Sequence, residues 1–178
     1  METKRWTISN LLSISRIILV APIAYFLLSK EIPYHREYAI LFILLAMITD
    51  ILDGYFARRF QEISELGKIL DPLADKIGVG LVVIILTISG DIPLWFMIAI
   101  LARDGIIFLG GIYLKKKKGI IPASAMPGKI AVVASSITLV LAILHLKTLQ
   151  EIFLWSSVLL MLYSFIDYTQ RFFSHLKK

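Results

Sequence analysis

The chain has 178 residues, of which 58% are hydrophobic, and its net charge is +6. A soluble domain is about 45 to 50% apolar, so this composition excludes an ordinary soluble protein and predicts an integral membrane protein. The absence of cysteine excludes a disulfide, a thiolate metal site and a cysteine nucleophile.

Six apolar segments each approach the length of about 20 residues that crosses a bilayer. In chain order they are Leu11–Leu28, Tyr38–Phe60, Ile69–Ser89, Ile92–Leu114, Gly128–Leu146 and Leu149–Phe173. The linkers SKEIPYHRE, FQEISELGK, SGD, KKKKGIIPASAMPG and KT are polar or contain helix breakers. The first segment lacks a signal-peptide exit, so we expect it to stay in the membrane. The sequence predicts an all-α integral membrane protein, a six-transmembrane-helix bundle forming a single domain over residues 1–178.

The basic residues predict the orientation. If the chain crosses the bilayer six times, both termini lie on the same side of the membrane. The basic residues on that side are Lys4, Arg5, Arg58, Arg59, Lys68, Lys115, Lys116, Lys117, Lys118, Lys129, Arg171, Lys177 and Lys178. The other side receives Lys30, Arg36 and Lys147. This bias places both termini in the cytoplasm, in what we expect to be a prokaryotic cytoplasmic membrane. The lysine run is interpreted as a topology signal and anionic-lipid contact, and no nucleic-acid partner is needed.

Four aspartates interrupt the second and third segments, in DILDGYFARRFQEISELGKILDPLAD. Placing a carboxylate at the middle of a spanning helix costs about 2.5 to 3.5 kcal/mol of insertion free energy. Four aspartates therefore need an interaction that offsets their combined cost. Asp50 and Asp53 share one helix face, and Asp71 and Asp75 share a face of the next helix. Asp53-Gly54 alone is typical of a turn, and Asp71-Pro72 alone of a helix start. The joint pattern favours a functional cluster.

Four converging carboxylates would repel one another unless they are protonated or bind metal. Oxygen ligands without cysteine or nearby histidine favour Mg²⁺ or Mn²⁺ over Zn²⁺. Four aspartates are enough for two ions, an arrangement that supports phosphoryl transfer. Gly54 and Gly67 leave space for a phosphate beside the carboxylates, and Arg58 can donate hydrogen bonds to it.

These residues carry a family resemblance. The sequence reads D-x-x-D-G-x-x-A-R, then eight residues, then G-x-x-x-D-x-x-x-D. It resembles the signature of the CDP-alcohol phosphotransferases at each defined position, namely Asp50, Asp53, Gly54, Ala57, Arg58, Gly67, Asp71 and Asp75. The resemblance extends over the whole chain and implies a six-helix membrane core, usually a homodimer, with an intramembrane polar cavity open to the cytoplasm.

The resemblance also implies the reaction and its residues. Such enzymes cleave the pyrophosphate of a CDP-linked donor and pass the phosphoryl-alcohol part to an acceptor hydroxyl, releasing CMP. By position, Asp50, Asp53 and Asp71 bind metal, while Asp75 completes the site and acts as general base. The positions that match those holding the cytidine diphosphate are Gly54, Ala57, Arg58, Ser64 and Gly67.

The first segment adds a weaker pattern, because Asn10, Ser13 and Arg16 recur at intervals of three in NLLSISR. Similar stretches open many family members, which makes Asn10 and Ser13 candidate nucleotide contacts. For Arg16, a side chain that reaches to the lipid headgroups is an equally good interpretation.

The identity of the acceptor alcohol depends on residues of the fourth and fifth segments. Arg103 and Lys129 place two cations near the cytoplasmic end, which favours a phosphorylated alcohol. Arg103 has a second interpretation, as a local partner of Asp104. Family members that use glycerol 3-phosphate have A-R-E and G-K-x-x-T here, whereas this chain has ARD and GKIAV. The arginine followed by aspartate, Arg103-Asp104, resembles the cardiolipin synthases, whose acceptor is phosphatidylglycerol.

The favoured hypothesis is transfer of the phosphatidyl group of CDP-diacylglycerol to glycerol 3-phosphate, giving phosphatidylglycerol phosphate and CMP. Phosphatidylglycerol and inositol phosphate remain alternative acceptors. Two other classes are a cation transporter, which can also use intramembrane aspartates, and a scaffold that only binds anionic lipid. Gly54, Gly67 and Arg58 argue against both.

Overall fold

The computed structural model describes residues 8–60, 67–119 and 126–177, and each predicted apolar segment forms a helix. The helices are α1 Ile8–Leu28, α2 His35–Phe60, α3 Gly67–Ile88, α4 Leu94–Lys118, α5 Met126–Ile143 and α6 Lys147–Lys177. These described ranges contain no strand. The prediction of an all-α protein is therefore confirmed.

Four of the five predicted linkers overlap helix ends, and the errors are largest at the lysine run and between α5 and α6. The lysine run continues α4 instead of leaving it, and the helix ends at Lys118. Gly119 caps it in the left-handed region with a φ of 68°, and its N–H donates to the Lys115 carbonyl. Cations in a last helical turn interact favourably with the helix dipole, so the run need not break the helix.

The linker between α5 and α6 also lies elsewhere. His145 has a φ of 56°, its N–H donates to the Ala142 carbonyl, and the Leu146 N–H donates to the Leu141 carbonyl. This pair of bonds is the Schellman motif, here closed by a histidine in the left-handed region. The turn takes up the last residues assigned to the fifth segment, so Lys147 and Thr148, expected to form the linker, begin α6 instead.

The described residues group into two compact units, Met1–Ser89 and Gly90–Lys178. In the first unit, α1 packs against both α2 and α3. The buried face of α1 consists of Arg16, Val20, Ile23 and Leu27, a spacing that keeps the side chains on one side of a helix. At the other end of this face the ring of Phe26 stacks on Phe42 of α2 with 5.6 Å between centroids.

In the second unit, α6 packs against α4 and α5. The α5 face is built largely from small side chains, with Ala131, Ala134, Ser135, Thr138 and Ala142 all buried. Ser157 and Ser164 of α6 are buried as well. Small residues let helix backbones approach closely, which is how helices associate in an apolar solvent that gives them no hydrophobic driving force.

Large apolar side chains remain exposed on the helices of both units, including Ile18, Ile88, Leu109 and Leu159. Exposed apolar surface of this extent marks an interaction with lipid or protein. Within the described residues, three helices are long and apolar enough to cross a membrane: Leu94–Lys117, Met126–Ile143 and Lys147–Ser174. The apolar stretches Ile14–Leu28 and Lys76–Ile88 of the first unit are shorter. The structure thus supports a helical membrane protein, and the six-span arrangement stays a prediction.

Candidate active site

An ion pair joins α1 to the first aspartate of the signature. Arg16 Nη2 lies 2.7 Å from Asp50 Oδ1, and the Arg16 side chain is only 7% exposed. A charged group inside a membrane helix is stabilised by an opposite charge because the apolar surroundings do not solvate it. The interpretation of Arg16 as a side chain that reaches the headgroups is therefore wrong.

Arg16 contacts a residue of the predicted site, a contact that sequence reasoning did not assign. The available signal was its position inside an apolar segment, on the face that Asn10 and Ser13 also occupy. A cation within the bilayer needs a partner, and the signature supplies carboxylates. What the sequence did not show is that α1 lies beside α2 with Arg16 level with Asp50.

The signature residues lie on α2 and α3 as the spacing predicts. Asp50, Asp53, Gly54, Ala57 and Arg58 are in the last three turns of α2, and Gly67, Asp71 and Asp75 are in the first three turns of α3. Asp53-Gly54 is consequently not a turn, and Asp71-Pro72 does not begin a helix. Both aspartates are interior helical residues, so neither structural alternative accounts for them.

Most side chains of the predicted site lie outside the described part of the chain. This applies to Asn10, Ser13, Asp53, Arg58, Asp71 and Asp75, and Ser64 falls in the segment between the described ranges. Among the side chains that are described, no group of three His, Asp or Glu is placed to hold a metal. The convergence of the four aspartates therefore stays a prediction.

Asp50 is the one signature aspartate whose side chain is described, and its contacts are compatible with binding a divalent cation. Asp50 is 55% exposed although it pairs with Arg16 through Oδ1, so its carboxylate is still accessible to a second partner. Its neighbours at the signature positions supply carboxylate oxygens, which are the ligands that Mg²⁺ and Mn²⁺ prefer.

Of the two predicted acceptor cations, Arg103 lies in a network of the second unit. Its Nη1 donates to Asp104 Oδ1 at 2.7 Å, and its Nη2 donates to Ser164 Oγ at 3.0 Å and to the Gly128 carbonyl at 3.3 Å. The predicted local pairing with Asp104 is thus present. Lys129 follows Gly128 in the first turn of α5 and is exposed. Arg103 is fixed by protein groups, whereas Lys129 is available to a ligand.

The helices and the exposed apolar surface define a membrane protein of the helical type. An ion pair between the buried Arg16 and the accessible Asp50 lies at its aspartate signature. Residues 6–163 match the family model described as CDP-alcohol phosphatidyltransferase. The chain belongs to this family, so the resemblance seen in the sequence and the enzyme class it implied are both confirmed.

Curated relatives divide into two groups. The chain is 35% identical to the CDP-diacylglycerol–glycerol-3-phosphate 3-phosphatidyltransferase of Aquifex aeolicus, over 96% of this chain and 98% of that protein. The Rickettsia bellii protein of the same name is 33% identical over 92% of this chain and 96% of its own length. A CMP-forming cardiolipin synthase of Streptomyces coelicolor is 35% identical, but over 58% of this chain and 49% of that protein.

Proposed function

We propose that the protein transfers the phosphatidyl group of CDP-diacylglycerol to the hydroxyl of glycerol 3-phosphate, releasing CMP and forming phosphatidylglycerol phosphate. The observation that carries the proposal is the end-to-end similarity to the relative from Aquifex aeolicus, whose name states this donor and this acceptor. Similarity over nearly the full length of both chains includes α4 to α6, where the predicted acceptor residues lie.

The signature residues have the following roles in this proposal. Asp50, Asp53, Asp71 and Asp75 hold two Mg²⁺ or Mn²⁺ ions, which when bound neutralise the pyrophosphate and stabilise CMP as a leaving group. Gly54 and Gly67 admit the phosphates between the two helices. Arg58 donates to the donor phosphates, and the remaining predicted donor contacts are Asn10, Ser13, Ala57 and Ser64.

Asp75 is the proposed general base. It accepts the proton of the acceptor hydroxyl, whose oxygen then attacks the phosphorus bearing diacylglycerol. The bond between that phosphorus and the bridging oxygen breaks, and the electron pair leaves with CMP. One P–O bond forms as another breaks, so the step needs no covalent enzyme intermediate.

The acceptor's phosphate is proposed to bind near Arg103 and Lys129. Lys129 is exposed and supplies an accessible cation, whereas Arg103 supplies a fixed positive charge because Asp104, Ser164 and Gly128 hold it in place. A doubly charged phosphate is attracted by both.

The membrane arrangement is part of the same proposal. The six helices all span the bilayer in one domain over residues 1–178, both termini are cytoplasmic, and the polar cavity opens to the cytoplasm. The chain acts as a homodimer. The excess of Lys and Arg on one side of the predicted path supports the orientation, whereas the cavity and the homodimer are what the family resemblance implies.

A second candidate is cardiolipin synthesis, with phosphatidylglycerol as acceptor. It is favoured by the sequence Arg103-Asp104, which resembles the cardiolipin synthases. In the structure these two side chains form an ion pair of 2.7 Å. The similarity to the Streptomyces coelicolor cardiolipin synthase covers only about half of that protein, so the first candidate is the better supported.

The deciding experiment measures CMP release by the purified protein with CDP-diacylglycerol and Mg²⁺. Glycerol 3-phosphate, phosphatidylglycerol, inositol phosphate and serine are tested in parallel, with Asp71→Asn as the inactive control. Metal-dependent release with glycerol 3-phosphate alone is the expected result. Release with phosphatidylglycerol instead would establish cardiolipin synthesis, and metal flux into liposomes without cytidine dependence would indicate a transporter.

A further inference from the structure

Arg16 and Asp50 differ strongly in exposure although they form one ion pair. The guanidinium side chain is 7% exposed and the carboxylate 55%. Arg16 is thus buried on the packed face of α1, whereas part of the Asp50 carboxylate remains accessible.

The position of Arg16 is set by the helix packing below it. One turn further along the same face, Val20 approaches α3, and a Cβ built on Gly78 would lie 3.6 Å from Val20 Cγ2. Gly78 comes three residues after Asp75. The face of α1 that carries Arg16 is therefore seated against α3 close to the second half of the signature, while Arg16 itself contacts the first half.

We infer that Arg16 is a positioning residue for the divalent-cation site, holding the Asp50 carboxylate through Oδ1 in the orientation in which it binds metal. This inference rests on the proposed function, because it takes Asp50 as a metal ligand. A partner that fixes a metal-binding side chain commonly changes metal affinity by 10- to 100-fold when it is removed.

Two physical effects of Arg16 on metal binding have opposite signs. A positive charge near a cation site repels the incoming cation, so by charge alone the loss of Arg16 would tighten metal binding. An orienting contact removes rotamer freedom from the ligand before metal arrives, so by orientation the loss of Arg16 would weaken binding. We expect the orienting effect of Arg16 on metal affinity to exceed its electrostatic repulsion.

The test is direct Mn²⁺ binding to the full-length protein in detergent, followed by electron paramagnetic resonance without nucleotide or lipid substrate. Arg16→Gln is expected to weaken Mn²⁺ binding by about tenfold, and Arg16→Lys to give an intermediate affinity, because an ammonium keeps the charge but lacks the planar fork. Arg171→Gln is the control. Arg171 also pairs with an aspartate, Asp167, at 3.0 Å in α6, and its loss should leave Mn²⁺ binding unchanged.

A double-mutant cycle separates positioning from a general effect on folding. In an Asp50→Ala background, Arg16→Gln should cause no further loss of Mn²⁺ affinity, because the carboxylate through which Arg16 acts is absent. If Arg16→Gln does not fold, as judged by gel filtration and thermal unfolding, Arg16→Lys alone decides. Affinity equal to or tighter than wild type overturns the inference, and an affinity weaker than wild type supports it.

The outcomes also distinguish this inference from the proposed function. If the wild-type protein binds no Mn²⁺, the metal site fails and the inference fails with it. If the wild type binds Mn²⁺, Asp71→Asn does not, and Arg16→Gln binds as the wild type does, only the role of Arg16 is overturned.

Discussion

Arg103 Nη2 on α4 lies 3.0 Å from Ser164 Oγ on α6, so a guanidinium within the helical unit is held by a hydroxyl from another helix. Ser164 is 3% exposed. The same nitrogen donates to the Gly128 carbonyl at the start of α5. One side chain therefore ties three helices together immediately before Lys129.

Ser164→Ala should raise the Michaelis constant for glycerol 3-phosphate while leaving that for CDP-diacylglycerol unchanged. The substitution removes one hydrogen bond to a charged donor, which is worth about 1.5 to 3 kcal/mol, so we expect an increase of roughly tenfold. Steady-state CMP release at varied concentrations of each substrate measures both constants.

Ser156→Ala is the matched control for that variant. Its hydroxyl is also on α6, but it is exposed and donates to the Ile152 carbonyl of its own helix. Equal changes in the two variants would show that Ser164 acts on the stability of α6 and not on Arg103.

Gly110→Ala should destabilise the second unit strongly. A Cβ at position 110 would overlap the Tyr168 hydroxyl and lie 3.2 Å from Tyr168 Cζ, and that hydroxyl donates to the Ile107 carbonyl at 3.1 Å. We expect overpacking to cost about 1 to 3 kcal/mol, partly offset by the better helix propensity of alanine, about 0.8 to 1.0 kcal/mol, and a net loss seen as a lower midpoint of thermal unfolding in detergent.

Gly111→Ala provides the comparison, because a Cβ there meets no atom within 4 Å. Alanine is the better helix former by about 0.8 to 1.0 kcal/mol, so this variant should be as stable as wild type or more stable. Adding Tyr168→Phe to Gly110→Ala should recover part of the loss, since it removes the overlapping oxygen. No recovery would mean that the close approach is not the cause.

The fold was largely predictable because apolar segments of membrane length have few alternatives to helices. The errors arose where local backbone chemistry overrides hydropathy. Lys115 and its neighbours are polar yet continue α4, since a helix end accepts cations. His145 closes α5 in a conformation usually left to glycine.

The candidate site was predictable only within each helix. Spacing shows that Asp50 and Asp53 share a face, because helical periodicity is a local property. It does not show which side chain of another helix meets that face, so Arg16 was missed and Arg103 was left with two interpretations. Those contacts depend on helix packing, which a single sequence encodes only through many weak preferences.

Asp75→Asn should abolish CMP release while CDP-diacylglycerol still binds. The amide cannot accept the acceptor's proton, and general-base catalysis contributes about 10² to 10⁴ in rate. Activity should fall at least a hundredfold, whereas donor binding, measured by protection against thermal unfolding, should persist. Full activity in this variant would remove the assignment of Asp75 as the base.

The orientation can be tested cleanly because the chain has no cysteine. Lys117→Cys near the end of α4 and Thr148→Cys in the first turn of α6 place single thiols on exposed residues. The excess of positive charge predicts that Lys117 faces the cytoplasm and Thr148 the opposite side. A membrane-impermeant maleimide should therefore label Thr148→Cys in intact cells and Lys117→Cys only in inverted vesicles.

Denaturing detergent must make both thiols reactive, which controls for burial in the protein. Labelling of both variants from the same side would contradict the predicted path, because an odd number of spans must separate them if α5 crosses the bilayer. The reverse pattern would keep α5 as a span but invert the protein, placing Lys129 and the lysine run on the side away from the cytoplasm. Glycerol 3-phosphate would then have to be supplied from outside the cell. The membrane side on which Lys117→Cys is labelled must therefore be the side from which glycerol 3-phosphate supports CMP release.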